Sequence, residues 1–224
     1  MSNRILILLV GLLMSLELLA QAPQDVEVTV YLIDIEEVDS RTQSFIANVF
    51  IGLRWHDPSL AHEGPGKIGK PIDDIWNYNL QILNQQRLVK TFLDNASVTP
   101  EGVVTIRQRY WGGFSQPLDL EDFPFDSQRL QISLVRSGNM GTVPNYVISR
   151  DSGLAHHLKI PDWEVTDWKV EPQEIPIGRE GNTARAVVLS VDVKRNISFF
   201  TLKVILPLML IVAMSWLVFW IGPD

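Results

Sequence analysis

Between residues 44 and 55, hydrophobic and polar positions alternate with a period of two. The odd positions from Phe45 to Trp55 are all apolar, whereas most even positions carry polar or small side chains. A strand that packs one face on a core and turns the other toward water has this pattern. Phe50 falls on the wetter face, so an aromatic side chain there indicates a role other than core packing.

Strand-like segments recur along the rest of the region between residues 23 and 197. Stretches rich in Pro, Gly, Asp and Asn separate them, as turns do. This spacing predicts a mainly β chain folded as an immunoglobulin-like β-sandwich, without internal repeats or linkers. The further predicted strands cover residues 26–38, 103–110, 126–134, 163–171 and 183–195.

The first 22 residues have the layout of a secretory signal peptide. Arg4 precedes an apolar run over residues 5–14, and the segment ends in the small residues Ala20-Gln21-Ala22. We therefore predict an export signal over residues 1–22. An uncleaved N-terminal membrane anchor is the alternative.

Residues 199–221 form a second long apolar run, FFTLKVILPLMLIVAMSWLVFWI. As a helix they would extend over roughly 35 Å, enough to cross the hydrocarbon core of a bilayer. We predict a transmembrane helix over residues 198–221, kinked at Pro207, with Trp216 and Trp220 toward the far interface. The sequence stops at Asp224, so we expect it to be part of a longer protein.

The predicted layout is therefore a signal peptide at 1–22, a β domain at 23–197 and a first transmembrane helix at 198–221. Only Asn196, Ile197 and Ser198 separate the last strand from the helix. A strand joined so directly to a membrane helix transmits force, whereas a flexible tether would not.

Composition excludes several function classes. The net charge is −7, and nucleic acids are bound mainly by Lys and Arg side chains, so no nucleic-acid partner is expected. Cysteine is absent, which excludes disulfides, thiolate metal sites and cysteine nucleophiles. The adjacent His156 and His157 would point to opposite faces of a strand, so neither a metal site nor a cofactor is expected.

The seven tryptophans are compatible with a carbohydrate-binding sandwich. Two of them lie in the predicted membrane helix, and Trp55, Trp76, Trp163 and Trp168 are expected to fill a core. Trp111, beside two glycines, has no clear place. A single-pass, lectin-like binding module therefore stays open as an alternative function.

The loop at residues 116–130 reads QPLDLEDFPFDSQRL, a hydrophobic turn among acids. Asp119, Glu121, Asp122 and Asp126 can form a solvated acidic loop. They can also supply the two carboxyl groups that a glycosidase places in a cleft, and spacing alone does not decide between the two. A secreted hydrolase is therefore a second alternative, although no GxSxG, HExxH or phosphate-binding glycine loop is present.

The same loop carries the sequence Phe123-Pro124-Phe125-Asp126, which resembles the signature loop of the pentameric ligand-gated ion channels, the Cys-loop receptor superfamily. Animal members close this loop with two cysteines. Their places fall on Gln116 and Leu130 here, as in prokaryotic-type members that lack the cysteines. Further matching features extend the resemblance over residues 26–221: Trp55-His56-Asp57 ending the second strand, Trp76, Arg195 before the membrane helix and Pro207 within it.

The resemblance implies that this loop lies on the underside of the β domain and contacts the membrane portion. Phe123 and Phe125 would supply apolar contacts, Pro124 would fix the backbone through a cis peptide bond, and Asp126 would pair with Arg195.

The resemblance also implies that the loop between the first two strands lies beside this pair. An acid is often found there in the family. Asp39 is the candidate, and Ser40 is the alternative if the register differs by one residue. Together these residues would couple stimulus binding to pore opening.

A ligand site between neighbouring subunits is a further implication of the resemblance, often a box of aromatic side chains around an ammonium group. Residues 171–182, where a capping loop is expected, contain no aromatic residue, so most of that aromatic box is missing from this sequence. An anion held by arginines, or a proton sensed by acids and histidines, are therefore alternatives to an amine. Phe50, Leu83 and Ser137 stand at the matching positions, with Arg136 beside Ser137. By the same matching, Arg109 and Arg179 are near the site.

The expected function is that of a subunit of a homopentameric ligand-gated ion channel, and not that of an enzyme. Its partners would be identical subunits, the lipid bilayer, a small-molecule or proton agonist and permeant ions. The expected location is the plasma membrane, specifically a bacterial inner membrane, with the β domain facing the periplasm or exterior.

Overall fold

A computed structural model describes residues 25–137, 144–177, 181–218 and 220. The predicted signal peptide at residues 1–22 and the candidate ligand residue Arg179 lie outside these ranges. The described residues form two β-sheets followed by a helical segment.

Turns and longer loops connect the strands of the described ranges, and two of these connections contain a 3-10 helix, at Pro58–Leu60 and Ile72–Asp74. In chain order the strands are β1 (Asp25–Asp39), β2 (Ser44–His56), β3 (Ile68–Pro71), β4 (Leu80–Ile82), β5 (Gln85–Lys90), β6 (Asn95–Val98), β7 (Val103–Ser115), β8 (Ser127–Arg136), β9 (Asn145–Ile148), β10 (Gly153–Leu154), β11 (Trp163–Pro176) and β12 (Thr183–Arg195).

The larger sheet has the strand order β10–β1–β2–β7–β6–β3, with β5 also paired to β7 and β9 to β1. The smaller sheet has the order β11–β12–β8–β4. Apolar faces of the two sheets share one core, to which Val28 and Val49 contribute from the larger sheet and Leu130 and Leu189 from the smaller. The prediction of a mainly β sandwich is confirmed.

The alternation predicted for β2 is present. Its odd positions from Phe45 to Trp55 are at most 7% exposed, and Phe45 stacks on Phe114 with ring centroids 5.2 Å apart. Phe50 is half-buried on the opposite face. The pairing of β2 with its two neighbours sets Phe50 between Tyr31 of β1 and Arg109 of β7.

The expectation that Trp168 fills the core is wrong, because its side chain is 42% exposed. Trp168 pairs with the buried Val191, so it lies on the inner side of its sheet. However, β11 is an edge strand, and the indole lies over Gly153 of the two-residue β10. By contrast, Trp55 and Trp163 are buried as expected, and Trp76 packs against the core while partly exposed.

Strand β7 continues to Ser115, beyond the predicted strand end at residue 110. Glycine at residue 112 allows β5 to approach β7 closely in this added part. Gly112 has a φ of +145°, and a Cβ added there would lie 1.9 Å from the carbonyl oxygen of Arg87 on β5. A side chain at this position would therefore push the two strands apart.

The helical segment begins directly after β12. Asn196 caps it, because its Oδ1 accepts the N–H of Ser198 at 3.1 Å. The segment comprises α1 (Ile197–Phe200), a π-helical turn (Thr201–Ile205) and α2 (Leu206–Val218). Pro207 is the second residue of α2, and since proline has no N–H to donate, a widened turn just before it is expected. Within the described residues, no single helix has both the length and the apolar character that a bilayer crossing requires.

Candidate functional site

Asp126 and Arg195 form the most buried ion pair of the described residues, with side chains 3% and 14% exposed. Arg195 donates from Nε to Oδ1 of Asp126 at 2.6 Å and from Nη2 to Oδ2 at 3.0 Å. Its backbone N–H also donates to the carbonyl oxygen of Asp126 at 3.1 Å. Asp126 directly precedes β8 and Arg195 ends the paired strand β12, so the sheet sets their separation. The predicted contact is confirmed, and its two-point geometry fixes orientation as well as distance.

Two aromatic rings lie against the guanidinium group of Arg195. Its Cζ is 4.1 Å from the ring centroid of Trp163 and 4.9 Å from that of Phe123. Trp163 pairs with Arg195 across β11 and β12, whereas Phe123 comes from the 116–126 loop. A cation held over ring faces away from water is attracted more strongly than one at an open surface. Sequence reasoning missed this role of Trp163, because its pattern is that of an ordinary core residue.

Gln128 is a buried residue that binds the 116–126 loop through hydrogen bonds. This role of Gln128 was not predicted from the sequence. Its Nε2 donates to Oδ2 of Asp126 at 2.7 Å and to the carbonyl oxygen of Asp119, and its Oε1 accepts the N–H of Asp119 at 3.1 Å. The side chain is buried in the same row as Leu130 and Ile132. A polar residue in an otherwise apolar row is the signal that would have identified it, because buried polar groups need partners.

Gln43 joins the turn between β1 and β2 to the 116–126 loop. Its Nε2 donates to the carbonyl oxygen of Ser40 at 2.8 Å, and its Oε1 accepts the N–H of Leu118 at 2.5 Å. Its backbone carbonyl oxygen accepts the N–H of Gln116 at 2.8 Å. Gln43 has a φ of +53°, an uncommon conformation for a residue with a side chain. The two loops are therefore fastened into one unit next to Arg195.

Of the two candidates in this turn, it is Ser40 that contacts Arg195. Its Oγ accepts from Nη2 of Arg195 at 3.4 Å. Asp39 instead accepts the backbone N–H of Arg41 at 2.8 Å within its own turn. This hydrogen bond from Arg41 lowers the pKa of Asp39 below its ordinary value. Ser40, the alternative candidate, is therefore the residue of this turn that contacts Arg195, and Asp39 is not.

Opposing effects act on the carboxyl group of Asp126. Burial raises its pKa, but the hydrogen bonds from Arg195 and Gln128 and the positive charge of Arg195 together outweigh burial. The net result is a pKa below the ordinary value of 3.8. Asp126 is therefore charged at neutral pH, as an ion pair requires.

The tip of the loop is apolar and points outward. The Phe123–Pro124 peptide bond is cis, as the resemblance implied, and the side chains of Phe123 and Phe125 are 47% and 61% exposed. Asp119 accepts the N–H of Glu121 at 3.0 Å through Oδ1, and so it helps to shape the loop. With Asp126 in an ion pair, these contacts disfavour the acid–base pair that a hydrolase would need.

Two of the predicted ligand residues, Phe50 and Arg109, are neighbours on the outer face of the larger sheet. Arg109 donates from Nε to Oδ1 of Asn48 at 2.8 Å. Phe50 packs edge-on against Phe92, with ring centroids 6.5 Å apart. Phe50 also borders an open groove of about 460 Å³ along the sheet face.

Three other predicted ligand residues, Leu83, Arg136 and Ser137, lie with the smaller sheet. Leu83 follows β4, is half-exposed, and its N–H donates to the carbonyl oxygen of Ser133 at 2.8 Å. Arg136 ends β8, and the N–H of the next residue, Ser137, donates to the carbonyl oxygen of Asn79 at 3.0 Å. The described ligand residues thus form two groups on two sheets rather than one pocket. In the part of the chain that the structure describes, no group of three His, Asp or Glu side chains is placed to hold a metal ion.

Comparison with known proteins places these features in context. A family profile described as "Neurotransmitter-gated ion-channel ligand binding domain" matches residues 18–197. The matched region includes the 116–126 loop with Asp126, the paired strands β8 and β12, and Arg195 itself.

Individual relatives agree with the profile. A proton-gated ion channel from Gloeobacter violaceus is 26% identical over 208 residues, which cover 90% of this chain and 58% of that protein. The glycine receptor subunit beta of Rattus norvegicus is 25% identical over 219 residues, covering 90% of this chain and 43% of that protein. A gamma-aminobutyric acid receptor subunit beta-4 from Gallus gallus is 24% identical over 218 residues, with 90% and 43% covered. The chain spans about half the length of the curated relatives it matches.

Proposed function

Because the chain belongs to the family of neurotransmitter-gated ion-channel ligand-binding domains, we propose that it forms the stimulus-binding extracellular part and the first membrane helix of a ligand-gated ion channel subunit. The chain is not an enzyme, since its relatives are channel and receptor subunits. The observation that carries the proposal is the buried Asp126–Arg195 pair at the point where the β domain meets the helical segment.

Strand β12 is the mechanical connection in this proposal. It extends from Thr183, beside the turn where a capping loop is expected, to Arg195, a distance of roughly 40 Å for an extended strand. The helical segment starts at Ile197, two residues beyond Arg195. Stimulus binding would shift the packing of the two sheets, and the contacts of Arg195 with Asp126 and Ser40 would pass the shift to the pore.

The helical segment would cross the membrane. Residues 197–218 are helical without interruption, and the apolar side chains of Met209, Ile211, Met214 and Trp216 are each about two-thirds exposed. Such a surface suits contact with lipid. The protein would lie in the plasma membrane, specifically a bacterial inner membrane, with the β domain facing the periplasm or exterior.

The assembly would be a homopentamer with a ligand site at each contact between subunits. Phe50 and Arg109 lie on one sheet and Leu83, Arg136 and Ser137 lie with the other. This separation supports a site that is completed by a neighbouring subunit. The agonist would be a small molecule or a proton, and permeant ions would pass through the shared pore.

The alternative of a single-pass, lectin-like module has less support. Carbohydrate-binding faces present exposed aromatic rings, whereas Trp55 and Trp163 are buried. Trp111 is half-exposed, but its Nε1 donates to Oε1 of Glu36 at 2.5 Å.

Electrophysiology of the full-length protein tests the proposal. Currents should appear in response to a pH series or to members of an amine and carboxylate panel. Surface labelling should confirm that the protein reaches the plasma membrane. Absence of current under every stimulus, with the protein at the surface, would contradict the proposed function.

A further inference from the structure

The chain passes from the smaller sheet to the larger sheet at Asn84. Before it, the N–H of Leu83 still donates to the carbonyl oxygen of Ser133 on β8, at 2.8 Å. After it, β5 begins at Gln85, which pairs with Phe114 of β7. Asn84 is therefore the single residue between a hydrogen bond to one sheet and the first pair of the other.

The backbone and the side chain of Asn84 bind different sheets. Its carbonyl oxygen accepts the N–H of Ser115, the last residue of β7, at 2.7 Å. Its side chain binds the edge of β8, where Nδ2 donates to the carbonyl oxygen of Gln131 at 2.7 Å and Oδ1 accepts the N–H of Ser133 at 3.3 Å. An amide side chain offers the same donor and acceptor as a peptide group, so it extends the ladder of β4 and β8 as a strand residue would.

A further hydrogen bond makes the side chain of Asn84 itself a bridge between the sheets. Nδ2 carries two hydrogens, and it also donates to the carbonyl oxygen of Ser115, at 3.1 Å. The carbonyl oxygens of Ser115 and Gln131 thus both require a donor from this side chain. An aspartate would have the same shape, but it only accepts and would place its charge against both oxygens.

Gln116 continues these contacts toward the 116–126 loop. Its Oε1 accepts the N–H of Gln131 at 3.1 Å, and its own N–H donates to the carbonyl oxygen of Gln43 at 2.8 Å. Gln43 in turn fastens that loop to the turn between β1 and β2. Beyond the end of β4, Gln131 is therefore held by Asn84 at its carbonyl oxygen and by Gln116 at its N–H.

We propose that Asn84 is a positioning residue for gating, because it locks the two sheets together at this crossover. A displacement of the smaller sheet beside Leu83 would then reach the 116–126 loop through Gln131 and Gln116. The inference rests on the proposed function, which gives Leu83 a place near the ligand and the loop a place in coupling.

Hydrogen exchange of the full-length protein, measured by mass spectrometry, tests this joint without relying on channel activity. Asn84→Ala should speed exchange in the peptide that contains Ser133, and also in residues 118–126, by about threefold or more, as the loss of a hydrogen bond does. A purely local role would change only the peptides that Asn84 contacts. Asn84→Asp keeps the shape and the acceptor Oδ1, so it provides the same test of residues 118–126 if Asn84→Ala does not fold.

Asn145 supplies the matched control. It also joins the two sheets, since from β9 its Oδ1 accepts from Nη2 of Arg185 on β12 at 3.5 Å, near the opposite end of that strand from Arg195. Asn145→Ala should leave exchange in residues 118–126 unchanged. The inference is overturned if both Asn84 variants leave that exchange unchanged, or if Asn145→Ala raises it equally.

Currents from the same variants separate a gating role from a purely structural one. The stimulus is the member of the pH series, or of the amine and carboxylate panel, that opens the wild-type channel. Asn84→Asp should lower the open probability at saturating stimulus by about threefold or more, with surface expression retained, whereas Asn145→Ala should not. A wild-type open probability in both Asn84 variants would overturn the inference and retain the proposed function. Faster exchange in residues 118–126 of Asn84 variants, in a protein that never conducts, would retain the joint and reject the proposed function.

Discussion

The guanidinium group of Arg195 lies 4.1 Å from the ring centroid of Trp163 while it binds Asp126 through two hydrogen bonds. The N–H groups of the guanidinium are directed to the carboxylate, and the guanidinium carbon lies over the aromatic ring. Both contacts depend on the position of one group, so they reinforce each other.

Arg195→Lys should therefore impair gating although the positive charge is kept. Lysine cannot form the two-point contact with Asp126 and has no flat face for Trp163. We expect Arg195→Ala to abolish stimulus-evoked current and Arg195→Lys to reduce it strongly, with surface expression retained in both. Electrophysiology with surface labelling measures both quantities. Normal currents in Arg195→Ala would reject the coupling role.

Arg129 supplies the matched control. It binds Asp192 at 2.6 and 3.0 Å with the same two-point geometry, but it is exposed on the same sheet. Arg129→Ala should change the free energy of unfolding very little, because water screens an exposed ion pair. Arg195→Ala leaves a buried carboxylate unpaired and should cost about 3–5 kcal/mol. Equal losses would mean that burial is not what distinguishes the Arg195 pair.

The Asp126 pair should make stability depend on acid. The pKa of Asp126 is lower in the folded protein than its ordinary value of 3.8, so the folded state favours the charged form. The pair thus contributes stability above pH 3.8, and this contribution is lost as pH falls through the folded pKa. Melting temperatures of the wild type and of Asp126→Asn should differ most near neutral pH and converge below about pH 4. A constant difference across this range would contradict the assignment.

Gln43 offers a test of the fastening between the two loops. Gln43→Ala removes its two side-chain hydrogen bonds and keeps an unfavourable φ of +53°, whereas Gln43→Gly removes the same bonds and relieves the backbone. We expect both to lower stability and Gln43→Ala to be worse by about 1 kcal/mol. Chemical denaturation of both variants measures the difference. Wild-type stability in both would mean that the bonds to Ser40 and Leu118 do not fasten the loops.

Phe50→Ala should shift the concentration of agonist needed for half-maximal current. The ring borders the groove and contacts Phe92, so its loss removes contact area from the proposed site. Val89→Ala, at an exposed apolar position on β5 that does not line the groove, is the control and should leave the response unchanged. An unchanged dose response for Phe50→Ala would exclude this residue from the site.

Gly112→Ala should prevent proper folding or destabilise the protein by more than about 3 kcal/mol. The added Cβ would lie 1.9 Å from the carbonyl oxygen of Arg87, and the φ of +145° is strained for alanine. Gly69→Ala is the control, because an added Cβ there meets no atom within 4 Å. Thermal melts of both variants should show a large loss only for Gly112. A small loss at Gly112 would mean that β5 can move away easily.

Features that depend on period-two burial could be predicted from the sequence. β12 was predicted with its observed bounds, and the buried row of β8 from Leu130 to Leu134 follows from alternation. The contact of Asp126 with Arg195 followed from the family resemblance, whose motif places both residues. These features are encoded locally or in one short motif.

What could not be predicted depends on contacts between distant segments. A tryptophan in a predicted strand is usually expected in the core. Trp168 is nevertheless exposed, because β11 lies at the edge of its sheet. The role of Trp163 follows from its pairing with Arg195 across β11 and β12, and that of Gln128 from the loop folding back onto the start of β8. The choice of Ser40 over Asp39 depends on a hydrogen bond within one turn, which a pattern with an uncertainty of one residue does not resolve.

Strand β12 lies between β11 and β8 and is hydrogen-bonded to both along most of its length. A slip of one residue would turn Val191 and Leu189 out of the core and carry Arg195 away from Asp126. In the proposed channel, a displacement travelling along β12 would therefore move this strand together with β11 and β8 rather than slide it between them. The Asp126–Arg195 contact at the end of the strand would then turn with the sheet.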